Sequence, residues 1–297
     1  MMKPSKPQKP EVPTTGHAWD GIEEYDNPLP RWWLWVLYAT IVWGIGYVIA
    51  YPAWPLIEGA TPGLLGYSSR GEYVAAEAEV AARNGAIKAE LADADLLALV
   101  DQPGTPLHDY AVQLGAGIFR ANCVQCHGAG AQGLQAAGYP SLLDDDWLWG
   151  GTIDAIAQTV THGIRNEQSL DSRYSQMPAF GAMLSAPQIT EIAHHVRAIS
   201  GQEHDATLAA AGAEAYAQQC TVCHGADGEG KKAMGAPRLN DAVWLYGGSL
   251  ARITESITDA RFGVMPAWAE EHRGASGLDA AEIKAVALYV HQLGGGE

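Results

Sequence analysis

The chain has 297 residues, 34 of them acidic and 18 basic, and a formal charge of -16. Such a surface repels polyanions, which excludes a nucleic-acid role, and steers basic proteins toward it. At roughly 100–200 residues per domain the length allows about one to three domains, and a 47% hydrophobic content excludes a chain disordered throughout.

Residues 1–31 are polar, rich in Pro, Lys, Glu and Asp, and aperiodic, so they read as a flexible or partner-ordered tail. From Trp32 to Ile57 the chain carries no charged side chain. About 20 helical residues cross a hydrocarbon core of about 30 Å, so this stretch predicts a transmembrane anchor with its helix over Trp32–Ala50. Pro52 and Pro55 place the helical exit near Tyr51, while Trp32, Trp33, Tyr51 and Trp54 suit the two interfacial belts. A long preceding tail and the lack of an Ala-x-Ala site favour an uncleaved anchor over a signal peptide. Lys3, Lys6, Lys9 and Arg31 precede the span and Arg70 is the first basic residue after it, which predicts an inside N-terminus. Trp35, Trp43, Gly44 and Gly46 are candidates for contact with other membrane helices.

Residues 58–106 form a connector. A turn-rich exit over 58–70 is followed by helical composition over 71–100, with Tyr73, Val74, Val80, Ile87, Leu91, Leu97 and Leu99 as packing positions. Pro103 and Pro106 close it.

The remainder is duplicated. GAGIFRANCVQCHGAG at 115–130 is echoed by GAEAYAQQCTVCHGAD at 212–227, and a shift of 97 also aligns Pro140 with Pro237, Trp147 with Trp244, and Gly150-Gly151 with Gly247-Gly248. Each repeat predicts a first helix containing Phe119 or Tyr216, a second after Trp147 or Trp244, and a last one beginning near Pro187 or Ala280. Two contiguous domains, 107–201 and 205–297, follow from this periodicity.

All four cysteines lie in Cys-x-x-Cys-His units: Cys123, Cys126, His127 and Cys220, Cys223, His224. This is the attachment signature of a c-type haem, in which two thiols add to the vinyl groups and the adjacent imidazole takes the proximal position. A zinc site would have to join complete repeats across 97 residues, and a thioredoxin-like exchange site lacks its βαβ context. Two covalent haem c groups, one iron each, are therefore expected. They also supply apolar volume that short helices and glycine-rich loops lack.

Met177-Pro178-Ala179-Phe180 matches Met265-Pro266-Ala267-Trp268, each between the middle and last helices of its repeat, so Met177 and Met265 are the preferred distal ligands. Met234 is only ten residues past His224, and Met183 has no counterpart. His162, His194, His195 and His291 are the alternative ligands, although no pair keeps an equivalent place in the repeats. Pro140 and Pro237, thirteen residues beyond each proximal His, lie where a backbone carbonyl can orient the imidazole. An ordinary turn is an almost equally good reading. Trp147 and Trp244, with Trp149 and Tyr246, either wall the haem or pack a core. Filled axial positions leave no site for a small substrate, so outer-sphere electron transfer is expected and no catalytic residue is assigned.

With these motifs, the anchor and the post-anchor segment YPAWPLIEGATPGLLGYSSR, the chain resembles the dihaem subunit III of cbb3-type cytochrome c oxidases, the CcoP/FixP family. The resemblance implies a mainly α protein in which one N-terminal transmembrane helix precedes two class-I-like cytochrome c domains. It implies His127/Met177 and His224/Met265 as axial pairs. It further implies a bacterial inner-membrane location, with the tail cytoplasmic and the haem domains periplasmic. The expected relay takes electrons from a donor cytochrome c toward a monohaem subunit and the catalytic haem-copper subunit, with a small membrane subunit a further expected neighbour. Oxygen reduction belongs to the assembled oxidase. The alternative is a dihaem electron-transfer subunit of a periplasmic dehydrogenase or another respiratory complex.

Overall fold

The computed structural model describes residues 12–297. Lys3, Lys6 and Lys9, used above to orient the anchor, lie outside the described residues, as do Met1 and Met2. The chain divides into two units, 1–83 and 84–297.

In the first unit, β1 (Thr14–Trp19) pairs antiparallel with β2 (Ile22–Tyr25), where Trp19 stands opposite Ile22. Asp20 and Gly21 both take positive φ, 49° and 82°, the backbone that a tight two-residue hairpin turn requires. A short hairpin with every residue exposed thus stands inside the segment expected to be an aperiodic tail.

Helix α1 (Arg31–Ala50) starts after Pro30 and ends as Tyr51 turns extended. Its 20 residues span about 30 Å at 1.5 Å each, and among the described residues it is the one helix long and apolar enough to cross a membrane. None of its residues is buried against the chain itself. Tyr47 stacks between Trp43 and Tyr51, at centroid distances of 5.3 and 4.8 Å, forming an aromatic ladder at i, i+4 spacing. Past the helix, β3 (Pro55–Leu56) and β4 (Gly59–Ala60) pair, and the chain then folds back so that the Leu64 and Leu65 amides donate to the carbonyls of Ile49 and Ala50. The exit segment therefore satisfies acceptors that a helix C-terminus leaves open. Helix α2 (Ser69–Asp93) follows.

The second unit is helical. Helix α3 (Leu96–Val100) is capped by Asp95. Of the expected packing positions in the connector, Leu91 and Leu99 are buried, whereas Tyr73, Val74, Val80 and Leu97 are exposed, and Leu96 takes the inward place expected of Leu97. The first repeat supplies α4 (Pro106–Ile118), a π-helical turn (Phe119–Cys123), α5 (Val124–His127), α6 (Ile153–His162) and α7 (Ala186–Ile199). The second supplies α8 (Ala206–Gln219), α9 (Thr221–His224), α10 (Leu250–Thr258), α11 (Glu270–Arg273) and α12 (Ala280–His291).

The last helix of each repeat does not pack on the first helix of its own. The last helix of each packs on the first helix of the other: α12 on α4 and α6, and α7 on α8 and α10. One core unites Ile118, Phe119, Ile153 and Val160 with Ile283, Val286, Leu288 and Val290; the other unites Ile189, Ile192 and Val196 with Tyr216, Ile253 and Ile257. The expected domains 107–201 and 205–297 follow the sequence repeats, and each of the two cores draws residues from both.

The physical cause is the connection between repeats. Residues 200–205 join α7 to α8 through a turn held by Arg197 Nε donating to the Glu203 carbonyl and the Asp205 amide donating to His194 Nδ1. So short a link favours antiparallel neighbours, which places α7 against α8 and leaves α4 for α12. Gly115 and its counterpart Gly212 permit both contacts. A Cβ at 115 would meet the Ala285 carbonyl of α12, and one at 212 the Glu191 carbonyl of α7. Phe119 on Tyr289 (5.5 Å) and Tyr216 on His195 (4.9 Å) are equivalent ring contacts across the two exchanged seams.

Candidate haem sites

Each Cys-x-x-Cys-His unit begins at the end of a helix anchored by a buried aromatic ring, Phe119 or Tyr216, both 1% exposed. Burying such a ring contributes about 1.5–3 kcal/mol. The anchored end fixes the short turn that follows, α5 or α9, where each histidine is the last helical residue before a glycine of φ 81°.

His127 Nδ1 donates to the Pro140 carbonyl at 3.1 Å, and His224 Nδ1 to the Pro237 carbonyl at 2.9 Å. A ring nitrogen that donates to a carbonyl carries the proton, so the Nε2 lone pair is left free for a metal. Burial holds both imidazoles below the usual histidine value, with the proline hydrogen bond pulling the other way. Both are therefore neutral near pH 7, as a ligand must be. The Cys123 and Cys220 thiols are each pushed up to about 11, chiefly by burial.

An apolar cleft in the second module brings Cys220, Cys223 and His224 together with Met177, Trp244 and Tyr246. Met177 is the methionine of the first repeat. In the other module, Met265 of the second repeat packs into the core that holds Cys123, Val124 and Trp147. Ile164 and Met265 exchange backbone hydrogen bonds of 2.9 and 3.0 Å, which pins that methionine beside the end of α6. Met177 thus lies in one cleft with His224, and Met265 on one core with Cys123, each across from the partner expected within its own repeat. The helix exchange is the reason, since each methionine lies on the segment that crosses over.

The crossing points are marked by two arginines absent from the sequence reading. Arg173 keeps to its own repeat, donating to the Trp149 and Ala155 carbonyls, and Arg261 to its own, donating to Ser256 and the Arg252 carbonyl. Four residues later the chain has passed to the other module, at Met177 and Met265. Their matching place before Met-Pro-Ala was the available signal.

The alternative histidines have other partners. His195 stacks on Tyr216, His194 ties the α7–α8 turn, His291 lies by the Glu297 carbonyl, and His162 lies beside His272. Trp147 Nε1 donates to the Gly295 carbonyl, while Trp149 and Tyr246 reach across to the opposite repeat. The donor sets suit c-type haem: paired thiols and a pre-oriented neutral imidazole in each module, with the Met177 thioether at the same cleft in one.

Fold and sites together define an anchored protein of c-type cytochrome construction, built on two repeats. The family model for the N-terminal domain of the cbb3 cytochrome oxidase FixP matches residues 11–58, that for cbb3-type cytochrome c oxidase subunit III matches 111–196, and that for cytochrome c matches 209–294. The chain is 55% identical to the cbb3-type cytochrome c oxidase subunit CcoP of Cereibacter sphaeroides over 100% of this chain and 99% of the relative. It is 49% identical to CcoP of Rhodobacter capsulatus (97% and 98%) and 47% identical to FixP of Azorhizobium caulinodans (96% and 94%). It belongs to the CcoP/FixP family, the subunit III of cbb3-type cytochrome c oxidases, and its role is electron transfer rather than the oxidase's catalytic step.

Proposed function

We propose that the chain holds two covalent haem c groups in class-I-like cytochrome c modules. Cys123, Cys126, His127 and Met265 would serve the first and Cys220, Cys223, His224 and Met177 the second. The observation that carries this reading is the cleft in which Met177 meets Cys220, Cys223 and His224. A bound haem supplies one-electron exchange between ferric and ferrous iron. The chain's residues do the rest: the thiols tether, the Pro140 and Pro237 carbonyls fix the imidazole tautomer, and the thioethers favour the reduced state. The apolar walls keep water from the site.

In this reading electrons arrive from a donor cytochrome c, steered by the acidic surface, and leave toward a monohaem subunit and the catalytic haem-copper subunit. Helix α1 seats the module beside those subunits in a bacterial inner membrane, N-terminus cytoplasmic, haems periplasmic. Arg31 opens α1 and Arg70 follows it, the nearest described basic residues, so orientation rests on the wider sequence, in which Lys3, Lys6 and Lys9 also precede the anchor. The test is an affinity pull-down from membranes with reduced-minus-oxidised spectroscopy. Two haems per chain, re-oxidised by oxygen only in the presence of a co-purifying haem-copper subunit, are expected. One haem, or redox change without that subunit, defeats the proposal.

A further inference from the structure

We propose that His162, Glu271 and His272 form a binding site for a zinc-type dication, separate from both haem sites, that ties the exchanged C-terminal segment to the first repeat. His162 is the last residue of α6, in the first repeat; Glu271 and His272 lie on α11, in the second. Backbone bonds hold the two elements in register: Trp268 donates to the Val160 carbonyl at 3.0 Å, beside the Ile164–Met265 pair. The site is thus assembled by the helix exchange, and no contiguous domain would contain it.

Three donor atoms converge. His162 Nδ1 is 3.1 Å from His272 Nε2 and 3.8 Å from Glu271 Oε1, and His272 Nε2 is 3.0 Å from the same oxygen. Ligands about 2.0–2.1 Å from a tetrahedral zinc stand roughly 3.3–3.4 Å apart, a spacing that these three distances bracket. Without a cation, the two facing ring nitrogens, 3.1 Å apart, share one proton in a single N–H···N bond. A dication at the centre satisfies both lone pairs and the carboxylate at once.

The surroundings agree with that choice. Arg273, the nearest cation in sequence, is turned onto the Trp268 ring at 4.1 Å. Ser169, 6% exposed, places Oγ 3.2 Å from His162 Nδ1, where it can hold a water in the fourth position. Two imidazoles and a carboxylate with no thiolate select a borderline dication over soft or hard ions.

The test uses the purified full chain with both haems attached, stripped by a chelator and dialysed against micromolar Zn2+, with zinc counted per iron. Wild type is expected to hold one zinc more per chain than the double variant His162→Ala/His272→Ala. Glu271→Gln should weaken binding by at least the roughly tenfold that loss of even an outer-shell partner costs. The zinc absorption edge should report two imidazoles, and zinc should raise the melting temperature of wild type alone. Equal zinc counts in wild type and double variant, or a shell without imidazole, overturn the proposal. If the double variant fails to fold, seen as a lost haem spectrum, His272→Gln decides by the same measurements. None of these readouts depends on the identity of the oxidase partners.

Discussion

Trp149 of the first repeat lies against Gly235 of the second, and its indole fills the space that a Cβ at 235 would take. The reverse contact is made by Tyr246 on Gly138. Both glycines have positive φ, 57° and 71°. Gly235→Ala therefore meets two penalties: about 1–2 kcal/mol for a left-handed backbone and about 1–3 kcal/mol for overpacking. A loss of about 2–5 kcal/mol in denaturant unfolding is expected, and the double variant with Trp149→Ala should be less destabilised than the sum of the two single changes. Strict additivity would show that ring and glycine do not interact.

The helix exchange makes a prediction about ligands that contiguous domains would not. In a chain whose first haem is removed by Cys123→Ser/Cys126→Ser, the remaining haem is attached at Cys220 and Cys223. Met177→Leu should abolish its weak red-end charge-transfer band, although Met177 belongs to the other repeat, and Met265→Leu should leave that band in place. The opposite result would restore pairing within repeats.

Much of this was legible in the sequence for a physical reason: the helices, the cysteine motifs and Met-Pro-Ala are local patterns. Even the carbonyls of Pro140 and Pro237, thirteen residues from their histidines, were within reach of spacing alone. The exchange was not legible. Two similar repeats present nearly the same apolar faces, so α7 fits α4 or α8 by pattern, and only the shortness of 200–205 distinguishes them. The hairpin at Thr14–Tyr25 was a missed signal of the ordinary kind, because Asp20-Gly21 between two extended runs is a strong turn mark. Tyr73, Val74 and Val80 misled because an apolar side chain in a helix need not find a partner in its own chain.

Asp279 has two tasks at the start of α12. Its carboxylate accepts from the Glu282 amide at 3.0 Å as the helix cap, and from Lys88 Nζ at 2.7 Å. Burial pulls Lys88 down, but Asp279 and Glu282 outweigh it and hold the ammonium above the ordinary lysine value. Asp279→Ala should cost about 1–2 kcal/mol, combining a cap worth about 1 with a half-exposed ion pair worth at most about 1. Asp279→Asn keeps the cap and should cost less than about 1 kcal/mol, with salt narrowing its gap to wild type. The Lys88 contribution is fully present below the ordinary lysine value of 10.5 and declines as pH rises from there toward the higher folded-state value, so thermal midpoints near pH 7 should show no pH dependence from this lysine.

Tyr216 places its hydroxyl, buried beneath the second cysteine motif, 3.0 Å from the Gly225 carbonyl, to which it donates. Burial above all pushes this phenol from 10.0 up to about 12. An acid whose folded value is raised binds more protons in the native state across that window, so its stabilisation is complete below pH 10.0 and declines as pH rises toward about 12. At neutral pH, Tyr216→Phe should lose about 1–2 kcal/mol, because the Gly225 carbonyl is left without its donor in a buried place. The difference between wild type and Tyr216→Phe in denaturant unfolding should then shrink through the alkaline window, since only wild type has a phenol to ionise on unfolding. A difference that stays constant across that range would mean the phenol ionises as it does in water, and the hydrogen bond to Gly225 would have to be abandoned as the anchor of the haem-binding turn.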